Sequence, residues 1–256
     1  MKYKNIFITG SSSGIGLATA LKFNIEGYRL ILCARNKEKL AKLIKKIKVP
    51  YHILIFDVSK KDDVFKSVKS LPKEFSKIDI LINNAGNAHG LEKSSECEID
   101  DWDNMVDSNL KGLLYVTKSI IKSMVSNRSG HIINVGSIAA KEAYPKGNVY
   151  CATKAAVDKF TEGLRIDLNE YNIKVGAIHP GLVNTNFSTV RFKGDKKRAD
   201  LVYSGLTPLL GKDIADIIFF MVECPYHVNI SDITVLPTSQ ANTYILNKQK
   251  NQSSIS

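Results

Sequence analysis

Short, nearly unbroken apolar runs alternate along this chain with longer segments whose apolar residues return every three or four positions. Asn5–Thr9, Arg29–Cys33, His52–Phe56, Ile78–Ile82, His131–Val135 and Lys174–Ile178 are runs of the first kind. They predict short strands buried on both faces. Ile15–Glu26, Lys37–Lys48, Lys60–Ser70, Asp101–Ser126 and Val149–Tyr171 carry the helical period and predict the helices between them. A last helix, Gly211–Glu223, and a last strand, Ile230–Leu236, follow an irregular stretch from Val183 to Leu210. Strand–helix alternation of this kind predicts an α/β fold, a parallel sheet covered on both faces.

No linker or repeat divides the chain, so one domain is expected over residues 1–247, followed by a polar tail over 248–256 that should fray. The irregular stretch 183–210 exceeds the ~12–15 residues of an ordinary connection. Its apolar members Val190, Phe192, Leu201 and Tyr203 suit a lid over a substrate. Disorder is the alternative.

Candidate chemistry gathers where the predicted strands end. Thr9-Gly10-Ser11-Ser12-Ser13-Gly14-Ile15-Gly16 lies between the first strand and first helix. Gly10, Gly14 and Gly16 allow a tight turn, and with Ser12, Ser13 and Ile15 they would bring a pyrophosphate to the helix N-terminus. The spacing is GxxxGxG, not the general GxGxxG dinucleotide fingerprint. The second strand ends in Cys33-Ala34-Arg35-Asn36-Lys37, with no acid to hold the ribose hydroxyls of NAD. Arg35, joined by Lys37, suits a 2′-phosphate, so the cofactor expected is NADP(H). Asp57 and Val58 end the third strand, where they would meet adenine. Asn84, Ala85 and Gly86 end the fourth, where small residues allow close approach to the cofactor sugar.

Tyr150 and Lys154 stand four residues apart on a predicted helix, thirteen residues after Ser137. Residues at that spacing share a helical face. An ammonium beside a phenol favours phenolate and is expected to lower its pKa from about 10. Such a tyrosine could exchange a proton with a substrate oxygen.

TGSSSGIG, NNAG, Asn109, Ser137, YCATK and Pro180-Gly181 occur in the order and approximate spacing of the short-chain dehydrogenase/reductase family, which the chain resembles from about Asn5 to Leu236. The resemblance implies a single Rossmann-like, doubly wound domain with a seven-stranded, mostly parallel sheet, and hydride transfer to or from nicotinamide. It implies that Tyr150 is the acid/base, that Lys154 tunes it and holds the nicotinamide ribose, and that Ser137 binds the reacting oxygen. Asn109 would hold a water that passes protons to Lys154. Pro180, Gly181, Val183 and Thr185 would lie along the nicotinamide.

The strings GHIINVGSIAA, YPKGNVYCATKAAV, PGLVNTNFSTVRFKGD and VLPTSQA are similar to one branch, the NADP-dependent 3-hydroxy acid dehydrogenases acting on serine and allo-threonine. A small 3-hydroxy acid, or its 3-oxo counterpart such as malonic semialdehyde, needs a cation for its carboxylate. Arg191 is the candidate, with a cofactor phosphate or a surface ion pair as its alternatives. A carbonyl or 3-oxoacyl reductase is the rival enzyme, and a non-catalytic NADP-binding sensor the rival of another class. The resemblance also implies a homotetramer, or a dimer, built on the two long helices.

Composition narrows this picture. Of 256 residues, 44% are apolar, enough for one sizeable core. The net charge of +11 raises nucleic-acid binding, but the lysines are interleaved with acids and accompany no basic-aromatic array. No nucleic-acid partner is expected. The absence of a long apolar stretch and of a signal peptide predicts no membrane partner and a cytoplasmic location. Cys33, Cys97, Cys151 and Cys224 form no CxxC pair, and the five histidines show no ligand spacing, so reduced thiols and no metal are expected.

Overall fold

Alternation within the apolar runs decides which side of the sheet each residue covers. In the computed structural model, which describes residues 4–24 and 27–248, β1 (Lys4–Thr9) sends Ile6 and Ile8 to one face and Phe7 to the other. In β2 (Tyr28–Ala34), Leu30 and Leu32 share the first face, Ile31 and Cys33 the second. A strand with two apolar faces must be covered twice, and helices do so here.

The remaining elements follow in the order the sequence suggests. α1 (Gly14–Lys22) precedes β2, and α2 (Lys37–Ile44) leads to β3 (Tyr51–Ile55). α3 (Lys61–Lys69) and the single turn α4 (Lys73–Ser76) lead to β4 (Ile80–Asn83). The predicted helix 101–126 is three pieces: α5 (Ile99–Met105), a π-helical segment Val106–Lys111, and α6 (Gly112–Asn127). β5 (Gly130–Val135), α7 (Asn148–Leu168) and β6 (Ile173–Pro180) come next. The irregular stretch holds β7 (Val183–Asn184), α8 (Phe187–Arg191), α9 (Lys196–Leu201) and β8 (Leu209–Leu210). α10 (Gly211–Glu223) and β9 (Asp232–Val235) complete the fold.

The main sheet has seven strands in the order β3-β2-β1-β4-β5-β6-β9. Every pairing in it is parallel, more uniform than the mostly parallel expectation. One core lies under α1, α2 and α10, where Ala20, Leu40 and Ile214 meet Ile6 and Leu30. The other lies under α3, α6 and α7, where Val64, Ile120 and Leu164 meet Phe7 and Leu81. The chain runs outward from β1 to β3 and then returns to place β4 beside β1. That reversal opens a crevice at the strands' carboxyl ends, the usual ligand position in a doubly wound sheet.

The end of the first helix differs from the sequence expectation. α1 ends at Lys22, because the Asn24 side chain turns to the loop after α2, accepting from Lys48 N–H at 2.6 Å and donating to the Lys46 carbonyl at 2.8 Å. The expected continuation to Glu26 falls partly outside the described residues, as does the tail beyond Lys248. Among the described residues, no helix is long and apolar enough to cross a membrane.

Candidate active site

The crevice is a cleft of about 470 Å³. Its floor begins at the glycine turn. Gly10 and Gly14 take positive φ values of 64° and 52°, which a side chain would strain. A Cβ on Gly16 would lie 2.3 Å from the Gly10 carbonyl oxygen, so this position needs glycine for close packing. Gly10, Ser12, Ser13, Gly14 and Ile15 line the cleft, while Gly16 lies buried beneath it. Ser13 is the N-cap of α1 but makes no side-chain capping bond. The free N–H groups of the first turn are therefore available to an anion.

The ends of β1 and β4 are tied together. Thr9 Oγ1 accepts from the N–H groups of both Asn84 and Ala85 at 2.9 Å, and Asn84 Nδ2 donates to the Thr9 carbonyl at 2.9 Å. This holds Asn84, Ala85 and Gly86 on the cleft wall. At the outer end, Arg35 and Asp57 face each other from neighbouring strand ends, Nη1 to Oδ2 at 3.2 Å. Burial pushes the Asp57 carboxyl upward, but bonds from Ser59 and the Arg35 guanidinium outweigh it and leave its pKa below the usual value. Arg35, Asp57 and Val58 all line the cleft. The second basic residue there is Lys39, not Lys37. Asn36 caps α2 by accepting from Lys39 N–H at 2.7 Å. The resulting turn puts Lys39, rather than Lys37, on the cleft.

Ser137, Tyr150 and Lys154 meet where β5 ends beside α7. The Ser137 hydroxyl accepts from Ala139 N–H at 3.1 Å, and its nearness to the Tyr150 phenol favours the ionised form of that phenol. Lys154 is buried and donates to the Val135 carbonyl at 2.9 Å, with Nζ 5.9 Å from the centre of the Tyr150 ring. Burial pushes its pKa down to about 8. The phenol departs from the sequence expectation. Burial raises the pKa of Tyr150 above 10, and the opposing Arg191 charge and Ser137 hydroxyl do not overcome it. Spacing placed the ammonium correctly, but desolvation of the phenolate is the larger effect here.

Asn109 belongs to the π-helical segment and does not line the cleft. Its Oδ1 accepts from Asn87 N–H at 2.7 Å, and its Nδ2 donates to the Asn87 carbonyl at 2.8 Å and Thr153 Oγ1 at 3.1 Å. It thereby clamps the loop after Gly86 to α7. A Cβ on Gly86 would sit 3.0 Å from Asn109 Oδ1 and 3.6 Å from Lys154 Nζ, so the glycine keeps the two groups near one another.

Pro180 ends β6, Gly181, Val183 and Thr185 follow it along the cleft, and α8 brings Arg191 over its inner end. The Arg191 guanidinium lies 5.0 Å from the centre of the Tyr150 ring and 5.1 Å from that of Phe187. Its Nη2 donates to the Tyr144 hydroxyl at 2.6 Å, while its buried Nε has no partner. Among the described residues, no carboxylate pairs with it. A second anchor was silent in the sequence. Gln240 Oε1 accepts from Leu182 N–H at 2.8 Å, and Glu142 Oε2 accepts from Thr243 N–H at 3.2 Å. These bonds fold the segment after β9 back over the cleft, so Gln240 and Thr243 also line it. Asn87, Tyr144 and Phe187 are likewise lining residues that the motifs did not single out.

Comparison with known proteins supplies the family. The family profile described as short chain dehydrogenase matches residues 4–196. The chain is 40% identical over 252 residues to an NADP-dependent 3-hydroxy acid dehydrogenase of Schizosaccharomyces pombe, covering 96% of this chain and 97% of that protein. It is 37% identical over 236 residues to a serine 3-dehydrogenase of Agrobacterium fabrum, covering 92% of this chain and 94% of the other. A solved structure, the closed form of serine dehydrogenase complexed with NADP+, superposes with a TM-score of 0.91 at 36% identity, covering 96% of this chain and all of that one (100%).

Proposed function

The chain belongs to the short-chain dehydrogenase family, and from that premise we propose an NADP(H)-dependent oxidoreductase that interconverts a small 3-hydroxy acid and its 3-oxo product. The observation that carries the substrate class is Arg191. A guanidinium with a shielded, unpartnered Nε beside a reactive phenol suits an anionic partner from outside the protein. A substrate carboxylate supplies that partner.

The cleft fits the cofactor. The glycine turn and first turn of α1 would take the pyrophosphate, Arg35 and Lys39 the 2′-phosphate, Lys154 the nicotinamide ribose hydroxyls, and the backbone around Val183, with the Thr185 hydroxyl, the carboxamide. Bound NADPH supplies a hydride to the substrate carbonyl carbon. Arg191 holds the carboxylate, the Ser137 hydroxyl fixes the carbonyl oxygen, and Tyr150 gives its proton to that oxygen as negative charge develops on it. Oxidation runs the same steps in reverse. Asn109 is assigned to the Lys154 end of the proton path through its place behind Gly86.

Protonation sets the pH dependence of the reduction. Tyr150, with its pKa raised, keeps its proton through neutrality, while Lys154 loses its charge near pH 8. NADPH-linked reduction should therefore hold across neutral pH and fall above about pH 8 as Lys154 is neutralised. A rate still climbing at higher pH would contradict these assignments.

The substrate reading is tested with a turnover panel of malonic semialdehyde, 3-hydroxypropionate, serine, allo-threonine and an acetoacetyl thioester. Asp57 is the one acid lining the cleft among the described residues, and it lies at the cofactor's adenine end. A 2-ammonium group thus finds no ion-pair partner beside the substrate. The amine-free acids should show higher kcat/KM than serine. Activity confined to the thioester would move the protein to the 3-oxoacyl reductases.

Cofactor choice provides a separate check. Arg35→Ala should lower kcat/KM for NADPH by about 10–100-fold, the loss of a charge-assisted phosphate contact, and leave NADH nearly unchanged. Equal losses with both cofactors would remove the 2′-phosphate assignment. Self-association as a homotetramer, with a dimer as the smaller alternative, is assigned to the faces of α6 and α7. Ile166 of α7 is 70% exposed, an apolar side chain such an interface would cover. Light scattering at micromolar concentration should report a multiple of 28.4 kDa, and a monomer mass would contradict it.

A further inference from the structure

His179 is a buried titratable side chain close to the site that the proposed chemistry leaves unused. It lies on β6 and is 0% exposed. Its Nδ1 stands 3.2 Å from the carbonyl oxygen of Ser137, which also accepts from Ala140 N–H at 2.9 Å. A carbonyl only accepts, so the ring's proton belongs on Nδ1. This close seat depends on the residue before the serine. A Cβ on Gly136 would lie 2.4 Å from Nδ1.

The far edge of the ring faces a cluster of charged side chains. Nε2 lies 3.1 Å from Asp232 Oδ2 on β9 and 3.3 Å from Asp158 Oδ1 on α7. Lys141, from the loop after β5, reaches the same carboxylates at 2.7 and 2.9 Å. Its ammonium already takes the place a metal cation would fill, so the cluster reads as an ion-pair group that closes over the far edge of the ring. Burial is the largest influence on His179 and holds its pKa below the usual value, with Asp232 opposing. A neutral ring has one N–H, and with that proton on Nδ1 facing Ser137 the buried Nε2 is left without a hydrogen-bond partner.

We propose that His179 is a positioning residue for Ser137. Its Nδ1–H fixes the carbonyl, and with it the backbone, of the serine that directs the reacting oxygen, while the Asp158–Lys141–Asp232 group packs over the ring's far edge. The inference rests on the role proposed for Ser137. Its consequence is geometric: a small displacement of a substrate-orienting group costs rate without weakening cofactor binding.

The test compares kcat for NADPH-linked reduction of malonic semialdehyde in Ser137→Ala, His179→Asn, His179→Gln and the Ser137→Ala/His179→Gln double variant. An asparagine amide nitrogen can stand near the position of Nδ1, whereas a glutamine amide reaches toward that of Nε2. The glutamine variant should lose about tenfold or more in kcat with NADPH affinity unchanged, and the asparagine variant should stay within about threefold of wild type. In the Ser137→Ala background, His179→Gln should add almost nothing, because the residue it acts through is gone. Equal kcat in the two single variants, or a full additional loss in the double variant, would overturn the proposal. Wild-type turnover of Ser137→Ala alone would instead remove the role of Ser137. Should the glutamine variant not fold, His179→Phe, which keeps a ring but lacks the Nδ1–H, replaces it under the double-variant criterion, and an unchanged kcat there also overturns the proposal.

Discussion

Tyr150→Phe should lower kcat for carbonyl reduction by about 10²–10⁴, the usual contribution of a positioned general acid. The phenol, assigned as proton donor, lies beside the Ser137 hydroxyl, and burial keeps it protonated at neutral pH. Phenylalanine preserves the ring that packs edge-on against Phe187, with centroids 5.6 Å apart, and beneath the Arg191 guanidinium. The fold and the NADPH site should therefore survive, with cofactor affinity within about threefold of wild type by fluorescence titration. Wild-type-like turnover would remove Tyr150 from the chemistry. Loss of NADPH binding along with turnover would show that the ring serves structure instead.

Arg191→Ala carries the second large effect, and it should divide by substrate. For a 3-oxo acid the substitution removes a charge-assisted, fork-shaped contact worth about 1.5–3 kcal/mol, raising KM by about 10–150-fold. For a neutral aldehyde of similar size KM should change little. Arg191→Lys restores the charge but not the planar fork, so it should recover only part of the affinity. The Arg191 charge also opposes the burial that raises the Tyr150 pKa. Its loss leaves the phenol still more firmly protonated, which does not hinder proton donation in the reductive direction. Equal KM changes for charged and neutral substrates would show that Arg191 orders α8 rather than binding a carboxylate.

The strands and long helices were legible because burial on two faces forces unbroken apolar runs and burial on one forces a helical period. Motifs at the strand ends were legible for the same reason. Once the sheet order is set, Gly10, Asn84, Ser137 and Pro180 must gather along one crevice. The shorter features left no periodic mark. α8 and α9 are five and six residues long, too short for a period, and the π-helical turn holding Asn109 differs from its flanks only in hydrogen bonds that reach one residue further. The contribution of Gln240 and Thr243 depends on a contact with Glu142, 101 residues away from Thr243. No local pattern encodes such a contact.

The electrostatics were the least legible part. Spacing put Lys154 on the Tyr150 face, yet a sequence does not show how completely both groups leave water. Burial then raises the phenol and lowers the ammonium, each against the sense in which one charge would stabilise the other. Arg35 and Asp57 were read as separate cofactor contacts, but neighbouring strand ends make them partners. A bound 2′-phosphate would therefore join an existing ion pair.

The central claim is hydride transfer between NADP(H) and carbon 3 of a small hydroxy acid. It is tested most directly by reducing malonic semialdehyde with NADPH carrying deuterium at nicotinamide C4, using each C4 stereoisomer in turn, and reading the product by mass spectrometry. The account predicts 3-hydroxypropionate with a single deuterium on carbon 3 from one stereoisomer, and unlabelled product from the other. Unlabelled product from both, or no product while other carbonyl compounds are reduced, would contradict it.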